Sequence, residues 1–401
     1  MSTLTQNKQG MKVLIAGSVL NLFLGILYVW SIFVYPVSNF YMWDIEEVKL
    51  TSSFMLSFFV VGILIGGKLQ LRTGAQKMVL LGGMMLSAGM LVTAFLPADH
   101  AWLMYVTYGT VGGFGVGAAY NAIITATQKW FPQNRGLATG IAVSAFGFST
   151  VIFAPLIELI VRQFGLKSTF LILSGIFFAV ILMLFRFIRL PDTVAEAGAG
   201  SEALHAKKQY TTTEAIKTKD FYLITLSLML ATSAFFILNP SFKTLAFERG
   251  IGDAAATGIV MLTGIANALG RLGTPFMSDK IGCEKTAIIN ILATALCALF
   301  LCFAQGFAFI AAVVVIAYCF GGFPGMYPVL TADYFGIKNV GSNYGAVMVG
   351  YALSALTFPM IIGQIDNITV KFIVLSVLAV IGAILILLLL KSKSKSISKS
   401  I

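Results

Sequence analysis

A single arginine in the middle of an apolar stretch is the residue of this chain most able to do chemistry. Arg271 is the only ionisable group in Thr257–Ser278, and the next charged residues are Asp279 and Lys280. At about 1.5 Å per helical residue, the guanidinium would lie about 12 Å inside the edge of a membrane. Arginine keeps its proton in proteins, and insertion scales put the cost of such a charge at about 2.5–3.5 kcal/mol. A charge kept at that cost indicates a function, most simply the binding of an anion in a water-filled cavity.

The elements that must position Arg271 are membrane-spanning helices. The chain of 401 residues is 58% hydrophobic and 11% charged, with a mean hydropathy of +0.91, whereas soluble domains carry about 25% charged residues. Apolar runs long enough to cross a bilayer as helices occur twelve times. They lie at 12–38, 50–71, 76–97, 101–128, 136–162, 167–189, 220–242, 254–279, 284–304, 307–332, 340–364 and 368–390.

Other chemistries find little support in the residues. No acidic side chain lies at the depth of Arg271 in any predicted span, although pairing with a carboxylate or a helix carbonyl remains the structural alternative. The four cysteines show no metal or redox spacing and are expected to pack as small apolar residues. No Ser/His or Asp/Asp pair lies within the spans. We therefore expect no enzyme activity, no cofactor and no metal.

The distribution of basic residues predicts the orientation in the membrane. With twelve spans and a cytoplasmic N-terminus, twenty Lys and Arg fall on the cytoplasmic side and six on the outer side, and Arg271 completes the 27. This is the positive-inside bias of multi-pass membrane proteins. The net charge of +11 then reflects topology rather than nucleic-acid binding. We expect a multi-pass protein of the plasma or inner membrane with both termini in the cytoplasm.

The chain divides into two halves of six spans. We predict an N-terminal bundle at 1–190, a cytoplasmic linker at 191–219, a C-terminal bundle at 220–390 and a basic, disordered cytoplasmic tail at 391–401. Three motifs recur in the same order at offsets of 204 to 209 residues, which indicates a duplicated six-helix unit. Arg72-Thr73-Gly74 matches Lys280-Ile281-Gly282, Gly112-Gly113-Phe114 matches Gly321-Gly322-Phe323, and Pro155 matches Pro359.

This organisation resembles the major facilitator superfamily. The signature of that family is a glycine, an acidic residue, a basic residue and a further glycine in the loop after the second helix, where it latches the two halves on the inner face. Asp279-Lys280-Ile281-Gly282 is a good copy at the end of the eighth span. The first-half copy, Gly67 to Gly74, has Leu71 at the usual position of the acidic residue. The resemblance implies an all-α fold of twelve helices with a weaker latch in its first half.

A narrower resemblance lies in the fourth and fifth spans. The glycine-rich run Gly112–Asn121 is followed by Lys129-Trp130-Phe131-Pro132-Gln133-Asn134-Arg135-Gly136-Leu137-Ala138-Thr139-Gly140. This stretch is similar to the oxalate/formate antiporter family and its relatives, the monocarboxylate transporters. The glycines themselves are expected to permit close helix contact rather than to bind a ligand.

The resemblance implies an aromatic cage around a carboxylate that pairs with the arginine of the eighth span. Phenol hydroxyls can donate to the carboxylate, while the rings exclude water and strengthen the ion pair. Packing or interfacial positions are the alternative for each ring. The positions of this sequence that match the cage are Tyr28, Tyr35, Tyr120, Phe146, Phe323, Tyr327 and Tyr351.

Two departures from these families bear on the substrate. Dicarboxylate transporters add a lysine three residues after the aromatic of the eleventh span, where this chain has Ser354. A single fixed cation suits a monoanion. Proton-coupled relatives often carry an aspartate four residues before the arginine, on the same helix face. Here that residue is Asn267, which cannot titrate but can orient Arg271, so a co-transported proton would need another site or would travel on the substrate.

Together these features predict a monomeric secondary transporter of small monocarboxylates such as formate, lactate, acetate or pyruvate. Two six-helix halves would rock around a midplane site. Its partners would be the carboxylate anion, in some mechanisms a proton, and the lipid bilayer, but no nucleic acid. The alternatives are an oxalate-type anion exchanger of the same fold and, from another class, a non-transporting membrane sensor.

Overall fold

The computed structural model describes residues 2–191, 209–239, 245, 249–250, 253–362, 365 and 367–398. Within these ranges the chain is helical and contains no strand. The helices are α1 (Ser2–Leu24), α2 (Trp30–Tyr41), α3 (Ile45–Thr73), α4 (Ala75–Thr93), α5 (Gly113–Trp130), α6 (135–164), α7 (166–184), α8 (Thr212–Ile216), α9 (Lys219–Leu238), α10 (Asp253–Ile281), α11 (Cys283–Phe300), α12 (Gly306–Phe335), α13 (Val340–Val347), α14 (Val349–Ile362) and α15 (Ile368–Ser398).

Nine helical segments among the described residues are long and apolar enough to cross a membrane. One of them, Arg135–Phe187, has 53 residues, which is about twice the length of a span. It turns at Gly165, whose φ of +77° is favourable only for glycine, and so provides α6 and α7. Two predicted spans are not among the nine. The fourth begins with a 3₁₀ segment and a π segment (Tyr105–Gly112) before α5, and the eighth is α10, the helix of Arg271. The helices are therefore those of the predicted twelve-span architecture.

The first span is not the single regular helix that its apolar run predicts. A 3₁₀ segment, Gly25–Val29, separates α1 from α2 and carries Tyr28. Gly25 packs so closely on α6 that a Cβ atom there would lie 2.2 Å from the carbonyl oxygen of Phe146. Only glycine permits this approach, which sets Tyr28 beside Phe146.

The helices α1–α7 and the helices α8–α15 are here called the first and the second group of helices. The two groups meet along α6 with α10 and along α3 with α13 and α14. At the α6–α10 contact, a Cβ atom on Gly147 would lie 2.9 Å from the Cα of Ala268 and 3.1 Å from the Cδ of Arg271. At the α3–α13 contact, a Cβ atom on Gly67 would lie 2.4 Å from the carbonyl oxygen of Gly341. Small residues thus let the two groups approach closely on both sides.

Charged contacts close one end of the bundle, here called the Asp279 end. The Asp279 carboxylate accepts hydrogen bonds from the backbone N–H groups of Gly136 (3.1 Å) and Leu137 (2.9 Å) at the N-terminus of α6. Nearby, Arg135 pairs with Asp333 of α12 at 2.7 Å. An anion at a helix N-terminus satisfies free N–H groups and complements the helix dipole. These contacts fasten α6 to α10 and α12.

The position of the first signature copy that matches Asp279 is Leu71, and it caps no helix. Leu71 is 52% exposed and has no carboxylate with which to cap α13. Instead, Asn121 Nδ2 of α5 donates to the carbonyl oxygens of Ile63 (2.7 Å) and Gly341 (2.8 Å). The α3–α13 side is therefore held by a neutral amide and by close packing.

The structure describes the C-terminal tail to Ser398 and the last part of the predicted linker. The tail is not disordered as far as the structure describes it, because the α15 backbone remains helical to Ser398. Lysine is a good helix former, and adding residues to an existing helix gains one hydrogen bond for each residue fixed. Within the predicted linker, residues 192–208 lie outside the described residues, whereas Tyr210 is bonded to Phe335 and Asn339 beside α12.

Candidate functional site

Arg271 is buried in the centre of the candidate site, with 1% of its surface exposed. Its Nε donates to Asn267 Oδ1 at 2.8 Å, one helical turn earlier on α10. Its Nη2 donates to the Tyr28 hydroxyl oxygen at 3.0 Å, across the contact with the first group of helices. The predicted orienting contact from Asn267 is therefore present in the structure.

Both hydrogen-bond partners of Arg271 are neutral. Ion pairs among the described residues include Arg135 with Asp333 and Arg162 with Glu158, and Arg271 forms none with a described carboxylate. Burying a charge without a counter-charge costs a free energy on the order of several kcal/mol. The site therefore carries a positive charge that an anion would neutralise.

Aromatic rings cover the guanidinium on the side of the first group of helices. The Arg271 Cζ atom lies 5.3 Å from the ring centre of Tyr28 and 5.5 Å from that of Phe146, within cation–π range. Phe146 packs edge-to-face on Tyr28 at 5.6 Å and on Tyr120 at 5.1 Å. Phe59 of α3, which the sequence did not single out, extends this cluster and lies 5.4 Å from Tyr120.

The second group of helices adds Tyr351 from α14. Its hydroxyl lies 3.3 Å from the hydroxyl of Tyr28, and its ring packs on Phe236 at 4.9 Å and Phe320 at 6.0 Å. Arg271, Tyr28 and Tyr351 thus form a chain of polar contacts that crosses between the two groups twice.

Tyr344 is a further tyrosine that the sequence analysis did not single out. It is 1% exposed on α13 and interacts electrostatically with Tyr120, Arg271 and Tyr28. It precedes Tyr351 by seven residues, and this spacing could have indicated it. Its hydroxyl and that of Tyr120 interact with each other, and neither has a further hydrogen-bond partner among the described residues.

Four predicted residues make no recorded contact with Arg271. Tyr35 is 66% exposed. Tyr327 is buried and bonded to the Ser227 hydroxyl at 2.9 Å, with Phe323 packed on its ring at 6.0 Å. Ser354 is fully buried, and its hydroxyl has no partner among the described residues. The structure thus brings Asn267, Tyr28, Tyr120, Phe146 and Tyr351 to Arg271, and leaves these four outside that cluster.

The described residues contain no group of three or more His, Cys, Asp or Glu side chains arranged as metal ligands. The polar groups around Arg271 are amide and phenol groups, which are able to hydrogen-bond a ligand. What this arrangement can do is bind an anion between two groups of helices.

A paired helical bundle with a buried, uncompensated cation at the contact of its two groups is the architecture of a membrane transport protein. The family model of the Major Facilitator Superfamily matches residues 14–359 and 224–400. The chain belongs to this superfamily and is a multi-pass membrane transporter.

Curated relatives are similar along most of the chain. The oxalate:formate antiporter of Oxalobacter formigenes is 27% identical, covering 83% of this chain and 79% of that protein. Monocarboxylate transporter 12 of Xenopus laevis is 27% identical, covering 84% and 78%. The uncharacterized MFS-type transporter YhjX of Escherichia coli is 24% identical, covering 85% and 84%. These relatives agree with the family resemblance drawn from the fourth and fifth spans.

Solved structures share the fold. The transporter FucP in its outward conformation superposes with a TM-score of 0.71 at 13% identity, covering 94% of this chain and 98% of that chain. The proton:xylose symporter XylE gives a TM-score of 0.69 at 16% identity, covering 94% and 95%. At these identities the likeness establishes the fold alone.

Proposed function

We propose that this protein is a secondary transporter of small monocarboxylate anions, with the substrate carboxylate bound by Arg271. The observation that carries the proposal is the burial of a permanent cation whose partners are neutral and come from both groups of helices. A carboxylate would supply the missing charge. The guanidinium can bind it in a bidentate manner, which gives orientation as well as affinity.

The aromatic cluster supports the same proposal. The rings of Tyr28 and Phe146 lie against the guanidinium, and Arg271 is 1% exposed. In such a low-dielectric site, attraction between opposite charges is stronger than in water. A small acid with few carbons would fit between rings better than a long polar ligand, because the walls offer mainly apolar faces.

Charge matching favours a monoanion. The position that carries a second cation in dicarboxylate transporters is Ser354, so Arg271 would act alone on the substrate charge. An oxalate exchanger is the second candidate, supported by the similarity to the oxalate:formate antiporter. Its doubly charged substrate would leave one charge unpaired at this site, which is why we favour a monoanion.

Alternating access of the Arg271 site to the two sides of the membrane would depend on the contacts between the two groups of helices. The sequence predicts that the Asp279 end faces the cytoplasm, because basic residues are concentrated on that side. In this arrangement the cytoplasmic side is closed by Asp279, Arg135 and Asp333. Rocking the two halves would break these contacts and open the Arg271 site inward. Because Asn267 cannot titrate, a proton moved with the substrate would bind elsewhere.

Uptake into proteoliposomes tests this proposal. Purified protein would be given labelled formate, acetate, lactate and pyruvate, with and without a pH gradient, and with excess oxalate as competitor. We expect saturable uptake of monocarboxylates and weak competition by oxalate, relative to protein-free liposomes. Absence of flux for the whole panel would contradict a transport function, and oxalate binding as tight as that of a monocarboxylate would contradict charge matching.

A further inference from the structure

Basic side chains without acidic neighbours meet at the Asp279 end of the first group of helices. They lie where α4 begins, where α5 ends and just beyond the end of α7, in the segments 74–79, 128–135 and 182–190, which contain no aspartate or glutamate. Four of these basic residues form no ion pair with a described carboxylate, and they are here called the basic patch: Lys77, Lys129, Arg186 and Arg189. The patch therefore carries positive charge that the described residues leave uncompensated.

Hydrogen bonds hold the backbone of this patch in place. The Nε2 atom of Gln76, at the start of α4, donates to the carbonyl oxygen of Arg186 at 2.6 Å. The Nε1 atom of Trp130, the last residue of α5, donates to the carbonyl oxygen of Arg189 at 2.7 Å. Lys77, Arg186 and Arg189 are all exposed. The cations are thus brought together from different helices and are accessible to a ligand at the surface.

Exposed apolar side chains continue from the basic patch toward the middle of the bundle. On α4, Lys77, Leu81 and Met84 are spaced i, i+4 and i+7 and therefore share one helix face. On α7, Leu182 lies about one helical turn before Arg186. Leu81, Met84 and Leu182 are all exposed. This surface presents cations at its edge and apolar side chains beside them, which is the order of polar and apolar parts in a phospholipid.

We propose that the basic patch binds the headgroup of an anionic phospholipid, with the acyl chains along the exposed faces of α4 and α7. The sequence predicts that this end faces the cytoplasm, where the membrane leaflet carries anionic lipids. Basic pockets between membrane helices on that side bind such headgroups. The inference is independent of the proposed function, since it involves none of the residues around Arg271.

The chemistry of the patch favours an anionic headgroup over the other phosphate compounds. An arginine guanidinium binds a phosphate in a bidentate manner, which gives geometric specificity as well as attraction. A zwitterionic headgroup would bring its own cation into a patch without carboxylates, so repulsion would offset the phosphate contacts. Free inorganic phosphate would match the charge but would leave the apolar faces of α4 and α7 unmatched.

Native mass spectrometry of the full-length protein in detergent tests this site. Phosphatidylglycerol and phosphatidylcholine with identical acyl chains would be titrated at low ionic strength, and the apparent Kd of the tightest-bound lipid would be measured for each. We expect phosphatidylglycerol to bind the wild type at least about tenfold more tightly. Arg186→Gln/Arg189→Gln should reduce this preference at least about fivefold, because each lost cation removes attraction to the phosphate.

Arg162→Gln/Lys167→Gln is the matched control, because it removes two basic residues where α6 turns into α7, at the opposite end of α7. This variant should keep the wild-type preference. Arg186→Lys/Arg189→Lys keeps both charges of the patch and should retain most of the preference. A preference restored by lysine would show that its loss in the glutamine variant is due to charge and not to misfolding.

The other outcomes overturn the lipid site. Equal binding of the two lipids by the wild type would remove it without any variant. An unchanged preference in Arg186→Gln/Arg189→Gln would place the lipid elsewhere, and an equal loss in the matched control would assign the effect to net charge. Displacement of phosphatidylglycerol by inorganic phosphate at the same concentration would assign the patch to free phosphate. None of these results bears on carboxylate uptake, so the proposed function stands or fails separately.

Discussion

The Nη2 atom of Arg271 donates a hydrogen bond of 3.0 Å to the hydroxyl of Tyr28, which lies 243 residues earlier in the chain. The two residues belong to helices on opposite sides of the site, and the contact forms where a 3₁₀ segment interrupts the first span. A buried cation is thus held by neutral groups from both sides while its charge stays uncompensated. This combination is what the proposed anion site requires.

Removing the Tyr28 hydroxyl should destabilise the unliganded protein. Tyr28→Phe keeps the ring over the guanidinium but removes a hydrogen bond to a charged group, which contributes about 1.5–3 kcal/mol. We expect a lower melting temperature in detergent, partly restored by saturating substrate. Tyr351→Phe is the control, because the hydrogen bond of that hydroxyl is to the neutral Tyr28 hydroxyl and not to the guanidinium. Equal melting temperatures for the two variants would argue against a special role for the Tyr28 contact.

Replacing the neutral partner of Arg271 by an acid should make uptake depend on pH. In Asn267→Asp, a carboxylate would stand where the amide oxygen lies 2.8 Å from Nε. When ionised, it would pair with Arg271 and compete with the substrate; when protonated, it would release the guanidinium. Uptake by the variant should therefore be low at neutral pH and rise as pH falls through the pKa of the new acid.

The measurement for Asn267 is initial uptake from about pH 8 down to about pH 4, a range that extends to the ordinary pKa of aspartate. Asn267→Leu controls for loss of the amide, since leucine cannot titrate and should give weaker uptake with a wild-type pH profile. An Asn267→Asp variant with the wild-type profile would show that this residue does not influence substrate binding at Arg271.

The charged contact at the Asp279 end should stabilise the closed arrangement of that end. Asp279→Asn removes the charge that caps the N-terminus of α6, which is worth up to about 2 kcal/mol in partly buried geometries. Thr125 is 2% exposed beside Gly341, so a Thr125→Cys reporter should react with a water-soluble maleimide when this end opens. We expect labelling to become at least about fivefold faster, as a shift of 1–2 kcal/mol allows.

Leu71→Asn in the same reporter background is the matched control for the latch. Leu71 occupies the equivalent position of the first copy but is exposed and caps no helix, so its replacement should leave the labelling rate unchanged. The protein without the reporter corrects for its native cysteines. Similar acceleration by both substitutions would assign the effect to general loosening rather than to the Asp279 contact.

Local spacing explains which parts of the site could be predicted from the sequence. Asn267 and Arg271 are four residues apart, so a helix brings them together wherever it packs. The spans likewise follow from apolar length. Contacts between distant helices depend instead on backbone details that periodicity does not contain. The 3₁₀ segment at Tyr28 is one example, because it interrupts a span that apolar length predicts as one regular helix.

Side-chain type alone does not determine the role of a buried tyrosine. Tyr344 is as buried as a packing tyrosine, and its closeness to Tyr120 and Arg271 is visible only in the structure. Tyr327 matches the cage of related families, yet here its hydroxyl is bonded to Ser227. Side-chain type and depth therefore indicate several candidate site residues. Which of them lie near Arg271 depends on the packing of the helices.

Uptake by Arg271 variants tests the central claim most directly. Labelled monocarboxylate uptake would be measured in proteoliposomes for the wild type, Arg271→Lys and Arg271→Ala, with Arg162→Ala as a control at an exposed arginine. Arg271→Lys keeps the charge but loses the planar fork, so affinity should fall at least about tenfold, equivalent to about 1.4 kcal/mol.

Arg271→Ala should abolish uptake while the protein stays in the membrane at the wild-type level. Its recorded partners, Asn267 and Tyr28, are neutral, so its removal leaves no unpaired charge buried. Arg162→Ala should transport as the wild type does. Uptake by Arg271→Ala close to that of the wild type would contradict the account, because it would make Arg271 a structural residue and leave the substrate anion without its binding group.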